Sequence, residues 1–326
     1  RLGICEGHFA VDIALIYMYA SCGLLVTAQE VFDKIEVQDV SAWTAIIAGY
    51  TKQGCDDRAL KCYEHMQLQG ISANPYISSS ILKACGNMGS MNIAEKIHVE
   101  VARKGLLQRD LFIGTTLVDV YSKCGSLAKA KEVFDMLPIR NNVTWSALIS
   151  GYSQHGNGDE ALHCFYQMQE ECHLPNSITF LCTLKACNCI ESVKKGKQIH
   201  VHVVEERLLE RDVLVGNALV DMYAKCGVLA KAEEMFDQLP IRNVMTWNAL
   251  ITGYSQHGHG EEALNCFQWM KCEGLSPDAI TFLCILKACG CLGFGDIGKE
   301  IHDQIAKEGM LEKYDLISNA LVDMYA

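Results

Sequence analysis

One cycle of 102 residues runs through the chain and repeats without a change of register. Trp43, Trp145 and Trp247 lie 102 residues apart in the related segments VSAWTAIIAGY, NVTWSALISGY and VMTWNALITGY. The segments LKACGNMGS, LKACNCIES and LKACGCLGF return at the same interval. So long a period, held along the chain, indicates an array of stacked modules. Residues that differ between the copies are therefore the candidates for function.

Each cycle contains pairs of short amphipathic helices. Apolar residues at the spacing i, i+3, i+4 and i+7 predict one helix over Trp43, Ile46, Ile47 and Tyr50 and, after a turn at Gly54, a second over Ala59, Cys62, Tyr63 and Met66. A hairpin of two such helices cannot bury both apolar faces alone, so it must stack on its neighbours. We therefore expect an all-α chain that forms one continuous repeat domain.

The hairpins divide the chain into units of three lengths in a fixed order. The 31-residue units are 9–39, 111–141 and 213–243; the 35-residue units are 40–74, 142–176 and 244–278; the 36-residue units are 75–110, 177–212 and 279–314. Residues 1–8 are interpreted as the end of a truncated repeat and 315–326 as a partial 31-residue unit. This implies a piece of a longer protein.

Composition excludes several other classes of protein. The 17 cysteines recur in register, for example Cys85, Cys187 and Cys289, which predicts small packing residues in a reducing compartment and not a disulfide scaffold. No C-x-x-C pair is present, and we expect no metal and no cofactor. The uncharged stretch from Ile13 to Gln29 is broken by Ser21, Cys22 and Gly23, so we expect a helix, a turn and a helix, and no membrane partner.

Three segments of the last cycle resemble the P, L and S units of PLS-type pentatricopeptide repeat proteins. They are VMTWNALITGYSQHGHGEEALNCFQWMKCEGLSPD, TFLCILKACGCLGFGDIGKEIHDQIAKEG and VGNALVDMYAKCGVLAKAEEMFDQLP. The resemblance implies a right-handed superhelical solenoid that binds single-stranded RNA with one base per unit, in mitochondria or chloroplasts. It also implies a role in choosing a cytidine-to-uridine editing site, and small accessory editing factors as possible partners of the 36-residue units.

In that family the fifth and last residues of a unit choose the base. The base-reading candidates carried over in this way are Thr44 with Asn74 (adenine), Ser79 with Asp110 (guanine), Thr115 with Asn141 (adenine), Ser146 with Asn176 (adenine), Asn217 with Asn243 (cytosine), Asn248 with Asp278 (uracil), and Asn319. The implied RNA reads 5′ ?-A-(G)-A-A-?-C-U-?-pyrimidine 3′. Ile13, Leu181 and Leu283 cannot hydrogen-bond a base edge, so their units are expected to act as spacers or protein contacts.

A stripe beside the apolar face of each first helix is the expected binding surface. In the unit from 142 it contains Val143, Ser146, Ser150 and Gln154, and we expect it to be exposed. Base-stacking candidates are the apolar second residues of the units: Tyr76, Phe112, Val143, Ile178, Leu214, Met245 and Ile280. Lys52, Lys123 and Lys225, near the ends of first helices, are the phosphate candidates.

One observation speaks against a simple RNA-binding interpretation. The formal net charge is −11, whereas phosphate binding normally uses a basic surface. The conflict weakens if acidic residues such as Glu160 and Glu261 lie on outward-facing second helices. The alternative is a protein-binding helical scaffold like the tetratricopeptide repeats, which would explain the acidic charge.

Catalysis is not expected from this chain. It contains no G-x-S-x-G, P-loop or G-x-G-x-x-G in a fitting context, and no zinc-deaminase signature. His98, His200 and His302 repeat once per cycle and are predicted to be half-buried helix residues. We therefore expect a recognition module without a small-molecule substrate.

Overall fold

Twenty α-helices joined by short turns make up the described part of the chain. The computed structural model describes residues 2–311 and 313–325, and no strand occurs among them. In chain order the helices are α1 Leu2–Ser21, α2 Leu25–Asp33, α3 Val40–Lys52, α4 Asp56–Leu68, α5 Pro75–Met88, α6 Met91–Arg103, α7 Leu111–Lys123, α8 Leu127–Met136, α9 Asn142–Gln154, α10 Gly158–Glu170, α11 Ser177–Cys189, α12 Val193–Glu205, α13 Leu208–Arg211, α14 Val213–Lys225, α15 Leu229–Gln238, α16 Val244–Gln256, α17 Gly260–Cys272, α18 Ala279–Leu292, α19 Gly295–Lys307 and α20 Asp315–Tyr325. The all-α fold class is confirmed.

The helices fall into two compact groups, one up to His155 and one from Gly156 onward. In the first group the first helices of successive hairpins, α1, α3, α5, α7 and α9, pack on one another. Each second helix, α2, α4, α6 and α8, packs on the first helix of its own hairpin and on that of the next. In the second group the first helices α11, α14, α16, α18 and α20 pack on one another, the second helices α12, α15, α17 and α19 each pack on the first helices before and after them, and α10 packs on α11.

The first helices begin where the sequence units begin. Their first residues are 40, 75, 111, 142, 177, 213, 244, 279 and 315. The exception is α1, which runs without interruption from Leu2 to Ser21 across the border between residues 8 and 9. Each unit therefore presents one first helix to the row of first helices.

An aromatic pair joins each tryptophan of the 102-residue cycle to the hairpin before it. Trp43 meets Phe32 with ring centroids 4.7 Å apart, Trp145 meets Phe134 at 4.6 Å, and Trp247 meets Phe236 at 4.5 Å, each edge to face. The three tryptophans are 1–3% exposed. Edge-to-face contacts of this kind stabilise a core beyond the area they bury, so the period of 102 residues reflects core packing.

The turn at Gly54 shows how a first helix ends. The Gly54 backbone adopts φ +71°, which an L side chain rarely takes. The Cys55 N–H then donates to the Tyr50 carbonyl at 2.9 Å and closes a Schellman motif. Between residues 13 and 29, α1 and α2 are likewise separated by a turn. None of the described helices combines the length and the apolar character needed to cross a membrane.

Candidate nucleic-acid interface

Large apolar side chains project into solvent at the second residue of successive first helices. All seven predicted stacking residues are exposed: Tyr76 57%, Phe112 56%, Val143 61%, Ile178 58%, Leu214 50%, Met245 59% and Ile280 55%. Each lies in a helix that also contains buried residues. Single exposed apolar residues are common on proteins, but one per repeat at a fixed position is not explained by packing.

The last residue of eight of the nine complete units is the N-cap of the next first helix, and the ninth unit ends in Tyr314. The side chains of Asp39, Asn74, Asp110, Asn141, Asn176, Asp212, Asn243 and Asp278 each accept a backbone N–H from the helix that follows. Asn and Asp are preferred at this place because their oxygen satisfies an otherwise unpaired helix N–H. Helix capping by itself therefore favours Asn and Asp at the positions that were predicted to read bases. This second role was not predicted from the sequence.

Fifth and last residues meet directly in three units. The Asn74 amide donates to Thr44 Oγ1 at 3.0 Å, and the Asn217 amide donates to Asn243 Oδ1 at 3.3 Å. The Asn248 amide lies 3.0 Å from both carboxylate oxygens of Asp278. These predicted partners are thus adjacent and hold each other's rotamers.

The fifth residues are more buried than predicted. Thr44 is 9% exposed, Ser79 3%, Ser146 6%, Asn217 5% and Asn248 7%. The expectation that these five side chains form an exposed stripe is wrong, because the packed helices cover more than nine-tenths of each of them. Thr115 is half-buried, whereas Asn319 is exposed. These five side chains therefore offer a ligand little accessible surface.

Other predicted pairs are arranged differently. Ser79 donates to the Pro75 carbonyl at 3.0 Å, and no hydrogen bond joins it to Asp110 in the described structure. Thr115 Oγ1 lies 2.9 Å from Thr144 Oγ1, which itself donates to Asn141 Oδ1 at 3.0 Å. Ser146 belongs to the first helix group and Asn176 to the second.

Threonine at the third residue of a first helix connects the pairs. Thr246 Oγ1 donates to Asn217 Oδ1 at 2.7 Å, and Thr281 Oγ1 donates to Asn248 Oδ1 at 2.6 Å. Both threonines also accept the N–H of the N-cap residue before them, Asn243 or Asp278, at 3.1 Å. The signal for this role was present in the sequence as Asn or Asp followed three residues later by Thr, a form of the capping box.

The predicted phosphate lysines differ in their surroundings. Lys123 pairs with Asp119 at 2.7 Å and Lys225 with Asp221 at 2.9 Å, each one turn apart on a first helix. Lys52 forms no ion pair with a described residue. Partly exposed pairs of this kind are weak, so a phosphate can compete for the two paired lysines.

Charge is sorted between the two kinds of helix. The eight first helices α3, α5, α7, α9, α11, α14, α16 and α18 contain six lysines and two aspartates, a net charge of +4. The eight second helices α4, α6, α8, α10, α12, α15, α17 and α19 contain nineteen acidic and thirteen basic residues. Glu160 and Glu261 are exposed on second helices, as anticipated. The acidic excess therefore lies mainly on second helices and connecting segments.

The first helices carry lysines that the sequence analysis did not select. Lys83, Lys185 and Lys287, at the ninth residue of the 36-residue units, are all exposed. Lys83 Nζ lies 5.0 Å from the centre of the exposed Phe112 ring of the next unit. Each of these lysines lies seven residues after the second residue of its unit, as Lys83 does after Tyr76. This spacing puts the two side chains on one helix face, and it could have identified the lysines from the sequence.

Cys85, Cys187 and Cys289 are buried packing residues, and the repeated histidines are half-buried. Burial raises the pKa of Cys85 and that of Cys187 to about 12, so both thiols stay protonated. His98 Nδ1 lies 2.9 Å from the Tyr121 hydroxyl, and His200 Nδ1 lies 2.9 Å from that of Tyr223. No group of three potential metal ligands occurs among the described residues.

Family models match several stretches of the chain. The model described as the PPR repeat family matches residues 140–189 and 242–291, and the PPR repeat model matches residues 41–71, 115–141 and 217–244. A chloroplastic pentatricopeptide repeat-containing protein of Arabidopsis thaliana is 34% identical over 98% of this chain. A mitochondrial one from the same plant is 33% identical over 100% of it. The chain spans only 51% and 31%, respectively, of those two relatives.

Two solved structures support the fold alone. The pentatricopeptide repeat protein PPR10 from maize has a TM-score of 0.52 at 17% identity, covering 96% of this chain and 51% of that chain. A tetratricopeptide repeat protein from Parabacteroides merdae has a TM-score of 0.51 at 14% identity, covering 86% of this chain and 98% of that chain. At this level, the fold does not distinguish between the two repeat classes.

Proposed function

Because this chain belongs to the pentatricopeptide repeat family, we propose that it binds single-stranded RNA along its first helices, one base per repeat. The observation that carries the proposal is the exposed apolar side chain at the second residue of seven successive units. An unpaired base offers an apolar face of the same kind, and stacking on such side chains contributes to binding single strands.

The neighbouring polar groups supply the means to select a base. A base that rests on Met245 has its edge near the rim formed by Asn248 and Asp278, which lie at the fifth and last positions. These two side chains hold each other, so little conformational entropy is lost when the base binds. The Asn248 amide has two N–H groups, and Asp278 has further lone pairs, so the pair can still bond a base edge.

Lysines on the same helices are placed to meet the RNA backbone. Lys83, Lys185 and Lys287 share a helix face with the second residues, and Lys52, Lys123 and Lys225 lie near the helix ends. The net charge of −11 is compatible with RNA binding because the first helices are themselves positive. Neutralising phosphates releases counterions, so the affinity must fall as salt rises.

We further propose that the chain is of the PLS type and selects a cytidine-to-uridine editing site in a mitochondrial or chloroplast transcript. The 31-, 35- and 36-residue spacing of the N-caps supports the PLS type. The two relatives described above are assigned to those organelles. In this proposal the deaminase activity lies outside these 326 residues. Small accessory editing factors would contact the 36-residue units, where the half-buried Leu181 and Leu283 replace polar fifth residues.

The second candidate function is a protein-binding scaffold. The formal net charge of −11 is the observation that favours it, because a protein partner does not require a basic surface. A scaffold would use the exposed apolar residues as anchors for a peptide. It would not require the fifth and last residues to vary while the residues around them stay constant.

Selection from a random pool of single-stranded RNA separates the two functions. We expect the enriched sequences to contain A-A-?-C-U, the order implied for the units from 111 to 278. A second selection with Asn176→Asp is expected to change one adenine to guanine and leave the other positions unchanged. A pool without enrichment, together with binding to a peptide, would favour the scaffold.

A further inference from the structure

A cleft of about 420 Å³ opens across the first helices α1, α3 and α5. Tyr17 of α1 and Tyr76 of α5 line it from two sides, and they are 42% and 57% exposed. Lys52 and Lys83 also line it. The cleft therefore combines two aromatic side chains with two cations on the helices that carry the proposed RNA surface.

Small residues of α3 form the part of the cleft between the tyrosines. Ala48 and Gly49 line it there. A Cβ added to Gly49 would come within 2.5 Å of Ala20 Cβ, so α1 and α3 are in close contact at this point. Ala48 and Gly49 therefore form the base of the cleft, and the larger side chains of Tyr17, Tyr76, Lys52 and Lys83 extend around it.

The same segment departs from the pattern of the other repeats. The second residues of units 9–39 and 40–74 are Ala10 and Ser41, so neither offers the large apolar side chain found in the next seven units. Tyr17 occupies the ninth position of its unit, where Asp119, Asp221 and Asp323 stand in the other 31-residue units. Lys52 occupies the position of Gln154 and Gln256.

We propose that this cleft holds one unstacked base of a single-stranded RNA between Tyr17 and Tyr76, with Lys52 and Lys83 at the neighbouring phosphates. Tyr17 thus substitutes for the stacking side chain that Ala10 and Ser41 lack. The inference rests on the proposed function, which it extends to the repeats in which the second residue cannot stack a base. Stacking is tolerant of sequence, so the cleft strengthens binding without choosing among bases.

The other polar groups of the cleft are compatible with this ligand. Asp56 is the one carboxylate among the lining residues, and its Oδ2 accepts from the Asn87 amide at 2.9 Å. Burial and the neighbouring Tyr76 raise the pKa of Tyr17, so its ring stays uncharged at neutral pH. The two lysines leave the cleft with a net positive charge.

The test is fluorescence anisotropy with the RNA selected for the whole chain. Tyr17→Asp introduces the residue found at this position in three other repeats, which makes it a conservative choice for folding. We expect it to weaken binding by about 5- to 100-fold, the range for loss of one stacked base, whereas Tyr17→Phe retains wild-type affinity. Lys52→Gln, which introduces the residue of the two equivalent repeats, is expected to reduce the salt dependence by about one phosphate.

An abasic scan of the RNA separates stacking from an effect on structure. Removing the base at the cleft position should weaken wild-type binding but change the affinity of Tyr17→Asp little, because both changes remove the same contact. Met245→Ser serves as the matched control, with its sensitive nucleotide elsewhere in the RNA. If Tyr17→Asp binds like wild type while Met245→Ser weakens binding, the inference is wrong and the proposed function stands. If wild type binds no RNA, the proposed function itself fails.

Discussion

At the scale of single residues, one side chain per repeat has two tasks. The last residue of eight units caps a helix, and in three of these units the described structure also joins it to the fifth residue by a hydrogen bond. Helix capping therefore favours Asn and Asp at this position, and base choice can use the difference between Asn and Asp. Thr44, Asn217 and Asn248 lie beside the last residues with which they were paired from the sequence, and base reading by these pairs stays a prediction. Their burial could not be predicted from the sequence, because it depends on the neighbouring hairpin.

Asp278→Asn separates the two tasks. Asn caps helices about as well as Asp, so we expect the free energy of unfolding to change by less than about 1 kcal/mol. The altered unit then carries the same pair as Asn217 with Asn243, and its preference is expected to move from uracil to cytosine. Binding to RNAs that differ at that base measures the shift.

Asp278→Ala is the control for capping. It removes the acceptor for the Thr281 N–H and should cost roughly 0.5–2 kcal/mol in a denaturant titration. An unchanged base preference in Asp278→Asn would contradict base reading by this pair, whatever the stability.

At the scale of elements, a glycine sets the distance between successive first helices. A Cβ on Gly49, Gly151 or Gly253 would come 2.4–2.5 Å from Ala20, Ser122 or Ala224, respectively. The sequence shows these glycines only as helix residues of poor propensity. Glycine is needed at these positions because two successive first helices touch there. Local sequence patterns cannot reveal such a contact.

Gly253→Ala is expected to destabilise the chain although alanine favours helices. Overpacking against Ala224 costs roughly 1–3 kcal/mol, which exceeds the gain of up to about 1 kcal/mol in helix propensity. Gly295→Ala in α19 is the matched control, since a Cβ there meets nothing within 4 Å. Denaturant midpoints compare the two, and equal stability of both variants would rule out the close contact.

A histidine and a tyrosine join the second helix of a 36-residue unit to the next first helix. Burial lowers the pKa of His98 and that of His200, although Glu132 and Glu95 oppose this at His98 and Glu234 at His200. Lys129 and Lys231 act in the same direction as burial. The unfolded chain therefore binds protons more readily than the folded one below about pH 6.5, and the histidines' contribution is lost as pH falls.

We expect His98→Gln with His200→Gln to flatten the pH dependence of stability. The wild-type melting temperature should fall more between pH 7.5 and pH 5.5 than that of the double variant, because glutamine takes up no proton. His163→Gln, at an exposed position of α10, should retain the wild-type slope. Parallel slopes for wild type and double variant would contradict a role for these two pairs.

At the scale of the whole chain, the repeat period predicted the hairpins well. Local patterns sufficed for helices such as α16 and α17, because each unit builds the same two helices from the same apolar spacing. The net charge, in contrast, is a poor guide to RNA binding, because one total does not show how the charges are divided between first and second helices. The sequence suggested this division for Glu160 and Glu261, and the helix bounds show it for the described first and second helices.

The most direct test of the central claim compares charge reversal on the two kinds of helix. One variant replaces the exposed Lys83, Lys185 and Lys287 of first helices with Glu, and its control replaces the exposed Lys61, Lys197 and Lys299 of second helices. Both change the total charge equally. RNA affinity in 100 mM salt is expected to fall more than about tenfold in the first variant and to change little in the control. Equal losses in both would contradict an RNA surface on the first helices.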